Sequence, residues 1–234
     1  MTEPEIQAVV DGIVQRIREA PLDTEPCGNF FVEDVFPPDL YREMLARLPS
    51  DEALDFINHP DAVAPDGRIT RKLLDLTPAS LKRLSDADRA FWTGMERVFT
   101  APALQAAMAE KFRADLEAQF GADPPAMVTT PLFYRDLPGY RIGVHPDAPY
   151  KVATLQFYLP ADESQVHLGT TFHKRTGQGF RELKTNPFRP NSAYGFVRTE
   201  ESWHSVKTLG PQESIRNTIA LTFYHRGLQY RSEM

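Results

Sequence analysis

The stretch Phe133–Tyr158, FYRDLPGYRIGVHPDAPYKVATLQFY, decides the fold, because it sets His145 and Asp147 two residues apart at the end of a strand-like run. Side chains at i and i+2 of a strand point to the same face. An imidazole nitrogen beside a carboxylate oxygen is two thirds of a facial site for a divalent metal such as Fe(II), with the opposite coordination positions left open. Pro146 between them cannot donate to a ladder, so the strand is expected to end there, at a rim that a ligand can approach. The remaining ligand has to come from a distant strand, and His204, in Ser202-Trp203-His204-Ser205-Val206, is the candidate. A lone His-x-Asp is also what a surface turn carries, its carboxylate bonding a nearby backbone amide. The weight therefore falls on Arg216, which opens the buried-looking strand Arg216–Tyr224. A guanidinium there needs an anionic partner. That partner is either a structural Asp or Glu, or the carboxylate of a ligand gripped by paired hydrogen bonds.

Outward from this stretch the chain divides in two. Toward the N-terminus, Ile6, Val9, Val10, Ile13 and Ile17 recur at helical spacing, and the stripe suits either a core or an interface, so a homodimer is one expectation. Phe30–Val32 reads as a short strand, and Pro37-Pro38 opens a helix over Leu40–Leu48. Residues 50–80, with Pro60, Pro65 and Gly67, read as a long irregular loop. Helical faces return from Ser85 to Phe120, interrupted at Pro102. After Gly121-Ala122-Asp123-Pro124-Pro125 the character changes to β-branched and aromatic runs at 127–134, 140–145, 152–159, 193–199, 205–209 and 218–225. Between two of these, residues 161–191 read as a polar, glycine-bearing loop over the site mouth. Its basic residues, with Arg135, Arg141 and Arg198, are candidates to receive a carboxylate or phosphate. The expectation is one domain over 1–234, mostly helical support over 1–125 and a mainly β core over 126–228.

The net charge of −6, with no run of Lys or Arg, argues against a general nucleic-acid binder. The acidic start and the absence of a long apolar stretch predict no signal peptide and no membrane anchor. A single cysteine, Cys27, suits a reducing compartment, so a cytoplasmic location is expected.

His145-x-Asp147, then His204, then Arg216 with Thr218 two residues on, resembles the Fe(II)- and 2-oxoglutarate-dependent oxygenases, in particular the prolyl-hydroxylase-like branch. The resemblance covers about Val128 to His225 and includes Thr154–Pro160, which is similar to the family's hydrophobic strand ending in a Tyr-Leu pair. It implies a double-stranded β-helix, or jelly roll, buttressed by N-terminal helices. It implies His145, Asp147 and His204 as iron ligands and Arg216 as the partner of the distal carboxylate of 2-oxoglutarate. Tyr134, eleven residues before His145, and Tyr158, eleven after Asp147, fall where such enzymes place tyrosines around the cosubstrate; plain core aromatics are the other reading. Thr218 takes the hydroxyl position of the family's Arg-x-Ser pattern. The interval from His204 to Arg216 is longer than the prolyl-hydroxylase pattern. The implied activity consumes dioxygen and 2-oxoglutarate, yields succinate and carbon dioxide, and oxidises a substrate carbon. An aspartate at 147 favours hydroxylation or desaturation over halogenation. A small molecule, such as an amino acid or natural-product intermediate, is the expected substrate, with a protein residue as the alternative. A non-oxygenase, cupin-type metal protein is the reading from another class, and Arg216 discriminates, since such an isomerase has no need of it.

Overall fold

In the computed structural model, residues 1–226 are described apart from Asn58, Pro124, Gln212 and Ser214. The β half carries eight strands: β4 (Met127–Asp136), β5 (Ile142–His145), β6 (Lys151–Tyr158), β7 (Thr170–Thr176), β8 (Gly179–Thr185), β9 (Ser192–Val197), β10 (His204–Val206) and β11 (Arg216–His225). They form two antiparallel layers, in the orders β9-β6-β11-β4 and β5-β10-β7-β8. This is the expected double-stranded β-helix. Three strands from the N-terminal half, β1 (Asn29–Val32), β2 (Asp55–Phe56) and β3 (Arg71–Asp75), extend the first layer to the seven-stranded order β1-β9-β6-β11-β4-β3-β2.

Alternation explains how the larger sheet serves two masters. On β6, Ala153, Leu155 and Phe157 face one way and Thr154, Gln156 and Tyr158 the other. The apolar face meets the helices α1 (Glu3–Glu19), α2 (Pro38–Ala46), α3 (Asp86–Phe99), α4 (Pro102–Lys111) and α5 (Arg113–Phe120). Phe157 packs on Phe36 and Phe99 at ring distances of 5.2 and 5.4 Å, and Trp92 on α3 meets Phe133 at 6.5 Å. Each such aromatic or aliphatic side chain contributes about 1.5–3 kcal/mol through the apolar area it removes from water. The polar face of the sheet is turned toward the smaller sheet, and there the site lies.

The stripe of α1 is consumed inside the chain: Ile6, Val9, Val10, Ile13, Val14 and Ile17 are all buried, against α3 and α4. Two loop expectations are corrected. Residues 161–191 are not one loop over the mouth, because Thr170–Thr176 and Gly179–Thr185 pair as the β7–β8 hairpin. The exposed, charged residues Lys174, Arg175, Arg181 and Glu182 hid this strand pair, whose tip is solvated. Residues 50–80 likewise contain β3, which pairs with β4 across Arg71–Asp75. Phe120, expected on an apolar face, is exposed. Residues 227 and 228, at the end of the expected β core, lie outside the described residues. No helix is long and apolar enough to cross a membrane among the described residues.

Candidate active site

His145 is the last residue of β5 and His204 the first of β10, and the two are directly opposite in the antiparallel register. Their ring centroids are 4.4 Å apart. Asp147 follows just beyond the strand end, and one ligand atom from each of His145, Asp147 and His204 falls within 4.8 Å of the other two. The backbone selects the tautomers. His145 Nδ1 lies 2.9 Å from the Gly143 carbonyl and His204 Nδ1 lies 2.9 Å from the Ser202 carbonyl. A carbonyl only accepts, so each Nδ1 carries the proton and each Nε2 keeps its lone pair, as a metal-ligating imidazole requires. Phe196 and Phe172 stand 4.8 and 6.3 Å from the His204 ring and enclose it.

Burial pushes His204 down to about 4, against the attraction of Asp147, so its imidazole is neutral at physiological pH. Burial would raise the Asp147 carboxyl, but the Lys151 ammonium, with His204 and His145, holds it well below the usual carboxylate range. Lys151 Nζ donates to Asp147 Oδ1 at 2.7 Å and Thr154 Oγ1 donates to Oδ2 at 3.1 Å. Arg198 Nε donates to the Asp147 carbonyl at 3.1 Å, which fixes the turn itself. Two imidazoles and an ionised carboxylate converging on one point suit a divalent first-row metal.

Behind this group runs a cavity of about 120 Å³, lined by His145, Asp147 and His204 at one end and by Arg71, Tyr140 and Arg216 among others. Arg71 on β3, Asp136 on β4 and Arg216 on β11 form one row across three adjacent strands. Arg216 Nη1 donates to Asp136 Oδ2 at 2.7 Å, and Arg71 Nε and Nη2 donate to Oδ1 and Oδ2 at 2.6 and 3.1 Å. Of the two partners the sequence allows for Arg216, the structural carboxylate is therefore present. It does not satisfy the whole guanidinium: Nε donates to the Leu168 carbonyl at 2.9 Å, while Nη2 is buried with no partner.

Tyr134 lines the cavity beside Arg71, whose guanidinium carbon lies 4.5 Å from its ring centre. Tyr158 and Thr218 are on the same face of the sheet but are not among the lining residues. The Tyr158 hydroxyl accepts from the Thr170 N–H at 2.8 Å, and Thr218 Oγ1 accepts from Gln156 Nε2 at 2.9 Å. Gln156 in turn accepts from the Tyr194 hydroxyl at 2.6 Å, and Tyr194 accepts from Thr170 Oγ1 at 2.9 Å. Gln156, Thr170 and Tyr194 do line the cavity, and sequence reasoning missed them. The alternation Thr154-x-Gln156-x-Tyr158, polar within an otherwise apolar strand, was the available signal. Of the basic residues offered for an anion, Arg135 is taken by Asp51 and by the Pro49 carbonyl, and Arg198 by Glu200 and the Asp147 carbonyl.

No protein-family model and no curated protein matches the chain. Solved structures do. The chain is similar to a prolyl-4-hydroxylase from Pseudomonas putida, at 16% identity and a TM-score of 0.54, over 93% of this chain and 100% of that one. It is similar to a prolyl hydroxylase from Trichoplax adhaerens, in complex with a hypoxia inducible factor oxygen degradation domain peptide fragment, at 12% identity and a TM-score of 0.54, over 97% and 95%. The non-heme alpha ketoglutarate dependent epimerase SnoN from nogalamycin biosynthesis matches at 16% identity and a TM-score of 0.54, over 93% and 83%. The fold is the one these 2OG-Fe(II) oxygenases and prolyl hydroxylases share. At these identities the likeness is one of fold.

Proposed function

We propose that this protein is an Fe(II)- and 2-oxoglutarate-dependent oxygenase that hydroxylates a small molecule. The observation that carries the reading is the coincidence, in one cavity, of the His145-Asp147-His204 group with a buried guanidinium that keeps an unpartnered nitrogen. A cupin-type metal site accounts for the first feature and leaves the second unexplained. His145 Nε2, His204 Nε2 and one Asp147 oxygen would hold the iron, with Thr154 steadying the carboxylate. Bound there, Fe(II) with 2-oxoglutarate and dioxygen supplies an oxidative decarboxylation, giving succinate and carbon dioxide, coupled to oxidation of a substrate C–H bond. Arg216 sets the register of the cosubstrate by drawing its distal carboxylate to the far end. Phe172 and Phe196 keep water from His204.

The volume supports a place for the substrate outside the cavity. A cavity of about 120 Å³ is well below the roughly 300–1,000 Å³ that a drug-sized ligand occupies, so it suits a short dicarboxylate and leaves the primary substrate at the mouth, beside His145. A protein residue presented at the same mouth is the second reading, favoured by the form of the fold shared with the two prolyl hydroxylases.

Succinate release from 2-oxoglutarate, in air with Fe(II) and a reductant, tests the reading. Wild type should turn over slowly without substrate and faster when a true substrate is added. Arg216→Ala should lose succinate release while still binding metal, and Asp147→Ala should lose the metal itself. Retained turnover in either variant contradicts the assignment.

A further inference from the structure

The register of β6 on β11 carries one irregularity, and it aims a side chain into the cavity. From Tyr158 opposite Thr218 to Ala153 opposite Phe223 the strands pair one residue for one, but the next pair is Lys151 with Tyr224, so Val152 is an extra residue, a bulge. With unbroken alternation Lys151 would share the face of Ala153, Leu155 and Phe157, against the helices. The bulge returns it to the face of Thr154, and Lys151 lines the cavity with Asp147, Thr154 and Thr222. Bulges are over-represented beside active sites, where they re-aim a side chain. Lys151 Nζ donates to Asp147 Oδ1 at 2.7 Å. The lysine side chain is 26% exposed against 8% for the aspartate, which puts the ammonium at the mouth. An ammonium carries three N–H donors, and among the described residues Asp147 Oδ1 is the one side-chain acceptor it meets. Asp147 has other supports, since Thr154 Oγ1 donates to its Oδ2 and Arg198 Nε to its carbonyl.

We propose that Lys151 is the specificity-determining residue for the primary substrate: it receives that substrate's carboxylate at the cavity mouth, and the substrate is a small monocarboxylic acid. This rests on the oxygenase reading above. Around the cavity Arg71, Arg216 and Lys151 stand against Asp136 and Asp147, which leaves a surplus of one positive charge. The charges of Fe(II) and of dianionic 2-oxoglutarate cancel, so the surplus remains once both are bound. One carboxylate removes it, whereas an uncharged substrate leaves a partly buried ammonium beside the metal with only Asp147 between them. A phosphate monoester, with a charge of about −1.5 to −2, overshoots. The bond formed is a charge-assisted one. A lysine turns on a flexible four-carbon stem, so the ammonium can swing from Asp147 Oδ1 to the substrate while Thr154 keeps Oδ2. Tyr224, opposite Lys151 in the register, stacks on Tyr150 at a ring distance of 6.0 Å and gives the carbon part of the acid an apolar wall at the rim.

The test is ligand proton NMR on the Mn(II)-loaded protein saturated with 2-oxoglutarate, because Mn(II) broadens the signals of a molecule held near it. The probes are butyrate and butyramide, alike in size and different in charge. Wild type should broaden butyrate about tenfold more than butyramide. Lys151→Gln, which keeps a donor for Asp147 without the charge, should lose that preference, and Lys151→Arg should keep most of it. Lys151→Gln should also bind Mn(II) as tightly as wild type or more tightly, since it removes a cation from beside the metal; a lysine that only props the ligand would cost metal affinity instead. Equal broadening of the two probes by wild type overturns the proposal, as does a butyrate preference that survives in Lys151→Gln or weaker Mn(II) binding in that variant. If Lys151→Gln fails to fold, the wild-type comparison of the two probes still decides. A wild type that takes Mn(II) and no 2-oxoglutarate brings down the cosubstrate reading, and the same two probes on the Mn(II) protein alone then decide the role of Lys151 separately.

Discussion

Asp136 is fully buried between two guanidiniums, and everything at the far end of the cavity depends on it. A carboxylate in such a place is stabilised only because both of its oxygens accept from charged donors. Replacing it with alanine would leave Arg71 and Arg216 buried side by side with no counter-charge. Loss of one member of a buried ion pair costs about 3–5 kcal/mol, and here two partners are stranded. Asp136→Ala should therefore lower the denaturant midpoint sharply by circular dichroism; a midpoint within experimental error of wild type would contradict the row as drawn. The convergence of His145, Asp147 and His204 was legible in the sequence because most of its signal is local: His145 and Asp147 share a strand end, and His204 lies on a later strand-like segment. Arg71, Asp136 and Tyr140 were not. Their association depends on the register of β3 on β4 and β4 on β11, and nothing within fifteen residues of Arg71 announces that pairing.

At the scale of the element, the β7–β8 hairpin is held to the core through a close backbone approach at Gly169. A Cβ there would fall 1.6 Å from the Asn186 carbonyl oxygen and 3.2 Å from the Phe188 nitrogen. The neighbours are backbone and cannot swing aside. Gly169 directly precedes Thr170, whose N–H engages Tyr158 and whose hydroxyl engages Tyr194. Gly169→Ala should cost about 1–3 kcal/mol or more by overpacking and lower the melting temperature, with the inner wall of the cavity displaced. Unchanged melting would mean that the segment after β8, at Asn186 to Phe188, relaxes freely. The strands with apolar faces, β4, β6, β9 and β11, were readable from alternation. The hairpin was not, because its tip is solvated and its polar residues mimic a loop, and β3 was hidden by the Pro60, Pro65 and Gly67 breakers just before it.

Over the whole molecule the division of labour is plain. Helices pack on the apolar face of the larger sheet, and the opposite face, polar by alternation, closes with the smaller sheet around one cavity. The helix-first, strand-later order was visible in composition, and the burial of the α1 stripe against α3 and α4 follows from its spacing. What composition does not specify is which inner-facing polar residues meet. We propose that one end of this cavity holds Fe(II) and the other the distal carboxylate of 2-oxoglutarate. Anaerobic titration of the protein with Fe(II) and then 2-oxoglutarate tests it most directly, because a 2-oxo acid chelated to Fe(II) has a weak visible charge-transfer band. The band should appear with wild type and be absent with Arg216→Ala at the same cosubstrate concentration. Iron binding with no band in wild type would contradict the account and leave a metal site of another kind.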